Sequence, residues 1–356
     1  MRREIDFRFY VLRNGAVFGE LHTFPAADSP VLRMQDSAAI KMSLSGTFWP
    51  DVTDADGRTV AADWYADEIQ PVLIIDGVEH SLGIFAAATV TPRITQTGRT
   101  LRIEAYDRCW RVRDVYTTTR KYFAAGTKYT TAIENLLTGV DLGYVITTPN
   151  SATLTEARED WDIGTSVLTI VNELLGEINY NPLWFNEAGA AILEPASLPT
   201  AENIEHTLDG DNVRSLILPQ LSQETDVYSA PNVFTCICSN PDKTEPWTKT
   251  AENNNPQSPL SIMRRGRRIM QVVHLNNIAS EAELQAYADR LRNESMLGSE
   301  TIRVSTGLLP GFGVADVVAL HYGEINALCI ERAYTMELCV GGTMQHILEK
   351  VVYSIG

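Results

Sequence analysis

Cysteine is scarce in this chain, basic residues are outnumbered and long apolar runs are missing, and each shortage excludes something. The five cysteines (Cys109, Cys236, Cys238, Cys329, Cys339) are odd in number and scattered over 356 residues, which fits reduced thiols rather than a disulfide frame. Lys and Arg total 29 against 45 Asp and Glu, a net charge of −16. General affinity for nucleic acid or an anionic membrane needs a basic face, so neither is expected. No apolar run approaches the roughly 18 residues of a membrane span, so stable membrane insertion is not expected. The opening Met1-Arg-Arg-Glu-Ile-Asp-Phe-Arg has no apolar core of a signal peptide, and Sec export is not expected.

What is present is a soluble globular mixture, 44% hydrophobic and 21% charged, long enough for two or three domains. The first third alternates apolar and polar residues. Ile5-Asp-Phe-Arg-Phe-Tyr-Val-Leu before Asn14-Gly15 reads as a strand and tight turn, and Ile40, Met42 and Leu44 share one face of another strand. Val72-Leu-Ile-Ile before Asp76-Gly77 opens a hairpin, and Leu101-Arg-Ile-Glu-Ala-Tyr follows a turn near Gly98. The middle third changes period: residues 131–137 and 165–178 carry helical stripes, and a hairpin turns at Asn186-Glu-Ala-Gly189. The last third returns to strands, at 213–218, 232–238, 301–306, 316–321, 327–338 and 344–353. A helix at about 281–297 starts in the capping box Ser280-Glu-Ala-Glu283 and stops at Gly298. Residues 239–261, with Pro241, Pro246, Pro256, Pro259 and Asn253-Asn-Asn, read as a long polar loop, mobile and dispensable for folding.

Turn glycines and apolar pairs recur in the same order within residues 72–103 and 317–348, the mark of an internal repeat. The expected fold is α+β, mainly β: two related antiparallel β-barrel-like domains flanking a small α/β insert. Its boundaries are 1–115 for the first β-domain, 116–205 for the insert and 206–356 for the second β-domain, which holds the helix and the long loop.

No motif for chemistry stands out. Cys236-x-Cys238 lacks the second pair of a metal site and reads as core packing on one strand face. Asp54-x-Asp56-Gly57 imitates part of a calcium loop, but Val52 occupies the first ligand position, so an Asp-Gly turn is expected. The six histidines (His22, His80, His206, His274, His321, His346) are dispersed and adjoin no nucleophile motif. Arg264-Arg-Gly-Arg-Arg268, the one dense basic cluster, suits a local protein–protein contact. Gly311-Phe-Gly313 is too short for a phosphate loop. No catalytic, cofactor-binding or metal residue is therefore assigned, no cofactor is expected, and the chain is not expected to be an enzyme.

Leu101-Arg-Ile-Glu-Ala-Tyr-Asp-Arg closes the first β-domain, and Trp161-Asp-Ile-Gly-Thr-Ser-Val-Leu lies in the insert. The second β-domain carries the helix of residues 284–298, then Leu308-Leu-Pro-Gly-Phe-Gly-Val-Ala-Asp-Val-Val-Ala-Leu. In this order the chain resembles the tail hub (baseplate hub) proteins of tailed phages and related contractile injection systems. The resemblance spans nearly the whole chain as element order and diffuse pattern. It implies a structural virion tail protein made in the host cytoplasm. It also implies a homotrimer whose two barrels per subunit form a ring of six, joining a six-fold tail tube to a three-fold tip, spike or fibre. The tape-measure protein is a further implied partner, and DNA would pass through without specific binding. A different class of reading is a carbohydrate-active or cell-wall hydrolase with a carboxylate pair facing one cleft; a third is a polysaccharide-binding module.

Overall fold

The computed structural model describes residues 3–24, 29–95, 98–140, 142–197, 199–211, 216–225, 231–239, 245–256, 258–297 and 300–351. Antiparallel strands dominate. The first nine are β1 (Ile5–Arg13), β2 (Ala16–Thr23), β3 (Val31–Gln35), β4 (Met42–Thr53), β5 (Thr59–Val60), β6 (Glu68–Ile75), β7 (Val78–Ser81), β8 (Phe85–Thr95) and β9 (Gly98–Asp107). Six of them close a ring by pairing β1–β2, β2–β4, β4–β9, β9–β8, β8–β6 and β6–β1. The β1–β2 turn needs positive φ at both central residues to match strand twist, and Asn14 (51°) and Gly15 (76°) supply it. Alternation fills the barrel with Phe9, Leu21, Phe48, Ile69, Leu73, Phe85 and Ile103, and the rings of Phe9 and Phe48 meet edge to face at 5.1 Å.

An α/β segment with a core of its own follows; Cys109 and Val112, inside the span expected for the first β-domain, already belong to that core. It runs α1 (Cys109–Asp114), β10 (Lys121–Phe123), α2 (Tyr129–Thr138), β11 (Val145–Thr147), β12 (Arg158–Trp161), α3 (Val167–Glu177), β13 (Trp184–Phe185) and β14 (Ala191–Leu193). The α3 stripe buries Val167, Leu168, Val171, Leu174 and Leu175, as its period requires. The strands of the 184–193 hairpin pair as expected, and β11 joins β14 in parallel. Helix α1 and the β10–β12 pair were not legible in the sequence: each is too short to show a period.

The remaining elements are β15 (His206–Asp209), β16 (Ile217–Thr225), β17 (Val233–Cys238), β18 (Trp247–Glu252), α4 (Ile262–Arg265), β19 (Met270–Leu275), α5 (Glu281–Leu297), β20 (Glu300–Gly307), β21 (Val317–Tyr322), β22 (Ile325–Glu337) and β23 (Thr343–Lys350). They form two bodies rather than one. Strands β15, β21, β22, β23, β20 and β16 lie side by side in that order, antiparallel except for the parallel β15–β21 pair. Strands β18, β17 and β19 make a separate three-stranded sheet against α5, with Cys236, Cys238, Leu284 and Ala288 at its centre. A second α/β insert thus interrupts the second β-unit. The strand expected at 232–238 is β17, and among the described residues it pairs with β18 and β19 of this insert. Ser280 caps α5 as expected, accepting from the Glu283 N–H at 3.1 Å, whereas Gly298 and residues 213–215 of the expected strand lie outside the described residues.

The polar loop of residues 239–261 is also corrected. Its described part contains β18, paired with β17 over its whole length, and five buried residues, Ala251, Asn253, Ser258, Leu260 and Ser261. Asparagine is used as a clamp. The fully buried Asn232 amide donates to Leu260 O (3.1 Å) and Arg267 O (3.0 Å) and accepts from Ile269 N–H (2.7 Å). Composition counted those amides as solvent-seeking; their hydrogen bonds point inward.

The two β-units correspond strand for strand in chain order: β1, β2, β4, β6, β8, β9 against β15, β16, β20, β21, β22, β23. The neighbours along β2-β4-β9-β8-β6-β1 match those along β16-β20-β23-β22-β21-β15. Both long central strands carry a bulge, between Ala87 and Thr89 in β8 and between Glu331 and Ala333 in β22. Two differences stand out: β15 runs parallel to its neighbour where β1 runs antiparallel, and the counterpart of β22 is split into β7 and β8. Strand β3, which has no counterpart, pairs with β4 on one side and β22 on the other, and the units share one continuous apolar core.

Candidate functional site

Three places could carry function: a buried polar cluster, a cleft between units and the open strand edges. The cluster lies in the second β-unit. Glu331 and His346 sit on the inward face of β22 and β23, with His346 Nδ1 2.6 Å from Glu331 Oε2 and His346 Nε2 3.0 Å from Thr306 Oγ1. Phe312 stacks on His206 at 3.8 Å between centroids and tilts against His346 at 5.0 Å. Asp316 Oδ2 faces His206 Nε2 at 2.9 Å and accepts from Gly313 N–H at 2.6 Å. The histidines expected to be dispersed are thus partly gathered, since Phe312 brings His206 and His346 together.

Thr306, His346 and Glu331 have the order of a hydroxyl–imidazole–carboxylate triad. Two observations argue against catalysis there. Glu331 and Thr306 are wholly buried and His346 is 1% exposed, so no substrate reaches the hydroxyl. The Thr306 hydroxyl also donates to Gly307 O at 2.7 Å, which leaves His346 Nε2 as donor, the reverse of what nucleophile activation needs. Burial, opposed by His346, pushes the Glu331 carboxyl up from its ordinary range. The cluster is a packed polar core. Its signal was in the sequence: His346 holds the inward phase of Met344, His346, Leu348.

The cleft has a volume of about 820 Å³ and lies where the β3–β4 loop, the end of the first insert, α5 and the 314–317 segment converge. Its carboxylates are engaged. Asp36 pairs with Arg332 (2.6 Å), Glu194 accepts from Trp184 Nε1 (3.0 Å), Glu205 accepts from Val317 N–H (2.9 Å) and Asp289 pairs with Arg292 (3.0 Å). Glu294 stands 3.7 Å from Arg290, and desolvation raises both Glu205 and Glu294. Two of these bonds join separate segments, Asp36 to Arg332 and Val317 to Glu205, and the others close within α5 or within the first insert; a hydrolase needs a carboxylate pair left open to substrate.

Other sequence features resolve simply. Asp54 Oδ1 accepts from the N–H of Asp56 and Arg58, a self-closed Asp-Gly turn. Cys236 and Cys238 pack against α5. Among the described residues no group of three or more His, Cys, Asp or Glu side chains could hold a metal ion, and no helix is long and apolar enough to cross a membrane. The basic cluster spans α4 and its left-handed cap Gly266, and Arg268 pairs with Glu252.

No protein-family model and no curated protein matches the sequence. Solved structures do. The tail protein from Neisseria meningitidis MC58 aligns over 96% of this chain and 96% of its own, with a TM-score of 0.66 at 13% identity. The 43 kDa tail protein of prophage MuSo2 from Shewanella oneidensis aligns over 98% and 99%, with a TM-score of 0.63 at 10% identity. The chain has the fold of phage tail proteins. A type VI secretion component of E. coli, described as similar to tail proteins of bacteriophage T4, aligns over all of this chain and 78% of its own, with a TM-score of 0.52 at 10% identity. The fold is thus shared by tail proteins and a component of a type VI secretion system.

Proposed function

We propose that the chain is a structural tail hub of a phage or prophage, acting as a homotrimeric ring between the tail tube and the tip, spike or fibre proteins. The observation that carries this reading is the strand-for-strand correspondence of the two β-units. Three chains with two like units each present six, the number a six-fold tube requires, while the chain itself repeats three times to meet a three-fold tip. The near end-to-end match with prophage tail proteins supports the same reading, and so does a polar cluster built for packing rather than turnover. The tape-measure protein is the remaining proposed neighbour, and the virion tail the proposed location.

Charge fits a conduit. A trimer carries 3 × 16 = 48 net negative charges, so a lumen sharing that charge repels DNA phosphates and lets a genome slide through without binding. The same charge opposes assembly at low salt, and screening over about 10 Å at 0.1 M relieves it. Light scattering across a salt series, then electron microscopy with tube protein added, tests the reading: trimers that strengthen with salt and rings seated on tube ends are expected. Monomers at every salt concentration and bare tube ends would refute it.

A further inference from the structure

Open strand edges invite another chain, and proteins blunt the ones that must stay free. In β16 the edge is broken by Pro219 and by an irregularity between Ile217 and Leu221. In β18 a lysine, Lys249, sits mid-strand and is held by Glu281 of α5 at 2.7 Å. Strand β19 has neither device. It pairs with β17 in unbroken register over six residues, and among the described residues β17 is its one strand neighbour.

The hydrogen-bond direction along β19 is fixed. Ile269 O accepts from Asn232 and Val233, and Leu275 O accepts from Ser239, so the odd-numbered residues turn their polar backbone groups toward β17. Met270, Val272 and His274 therefore turn N–H and C=O outward. Their side chains share the face opposite α5, because Val273 and Leu275 pack with the helix. Met270 is 58% and Val272 46% exposed, two apolar side chains in alternate positions beside an open ladder.

Charge selects the occupant. In a chain of net charge −16, Arg264, Arg265, Arg267 and Arg268 stand together at the entry to this strand, with Arg268 paired to Glu252 of β18. A second copy of the chain is acidic by composition and present at equal concentration. From this we infer that β19 is a subunit contact: an edge strand of a second copy adds to it as a fourth strand, guided by the arginine cluster and covering Met270 and Val272. The inference rests on the ring reading and deepens it by placing one contact.

Val272→Pro tests it, because the Val272 N–H points away from β17 and its loss removes no bond of the subunit's own ladder. Val272→Lys, a lysine at an exposed edge position, is the companion should the proline disturb folding. The full-length chain is expected to form trimers at a concentration where both variants remain monomeric with unchanged circular dichroism. Residue-resolved hydrogen exchange should show the Met270, Val272 and His274 amides slowing at least about tenfold on assembly. Variants that assemble like the parent, or equal exchange at those amides in monomer and trimer, would overturn the β19 contact and leave the ring standing. A parent chain that never assembles would overturn both.

Discussion

Arg332 and Asp36 meet twice, once through side chains at 2.6 Å and once where the Asp36 N–H donates to Arg332 O at 2.9 Å. Arg332 is the residue displaced by the β22 bulge, and Asp36 follows directly on β3, so the contact joins the second β-unit to the strand set between β2 and β4 of the first. A bulge re-aims a side chain, and here it aims a guanidinium across a unit boundary, where Glu349 also holds it at 2.5 Å.

Arg332→Ala is expected to cost about 1–3 kcal/mol, between the values for exposed and buried pairs, because both carboxylates lose a half-buried partner. The loss should appear as a lower midpoint in denaturant. An unchanged midpoint would show that β3 alone fastens the units.

Asp107 gives the first β-unit a pH signature. Its carboxyl is almost wholly buried and accepts from Met42 N–H (2.7 Å) and Cys109 N–H (2.8 Å), tying β9 to the start of β4 and of α1. Desolvation outweighs those bonds and pushes the group up to about 6. A raised acid binds its proton more tightly folded than unfolded. Its contribution is therefore fully present below its ordinary value of about 3.9 and is lost as pH rises through 6, a change of about 3 kcal/mol. Asp107→Asn should remove this slope between roughly pH 4 and 7, measured as the parent-minus-variant difference in unfolding free energy. It should also destabilise, since one amide oxygen replaces two acceptors.

The Glu331–His346 pair should be costly to break and cheap to replace whole. His346→Ala leaves a buried carboxyl without its partner and is expected to cost about 3–5 kcal/mol, whereas the double change to Leu at both positions should recover most of that loss. Thermal unfolding of the two variants decides it. Equal loss in both would show that shape, not charge pairing, dominates at this place.

Replacing residues 239–261 by a short Gly-Ser link should unfold the second insert, because the link deletes β18 and the buried Asn253 and Leu260. Rapid proteolysis near α5 together with an intact first β-unit is the expected pattern. A variant that keeps the parent's melting temperature would restore the view of this stretch as a plain surface loop.

How far the sequence could be read followed from element length and from where polar groups point. Long alternating strands such as β4 and β22, the α3 stripe, the Ser280 cap and the repeat of turns all announced themselves locally. Strand β18 did not, since prolines and asparagines around it suggested solvation, and only the inward direction of the Asn232 and Asn253 amides explains them. Nor could alternation tell that β17 and β19 pair with each other instead of joining the barrel strands, because partner choice is non-local. The triad-like cluster required three strands to be in register at once. His346 advertised a buried histidine, but nothing local in β20 pointed to Thr306.

Strand β3 and the second insert occupy the same slot, between the second and third strands of their respective units. In one slot five residues staple the halves together; in the other a body with its own core stands out. A ring assembled from three such chains would meet the two slots alternately around its rim. Such a ring would repeat its β-units six times and its second insert three times. In the proposed hub, the mismatch between tube and tip would be resolved within each subunit, by what fills one gap in a repeated chain path.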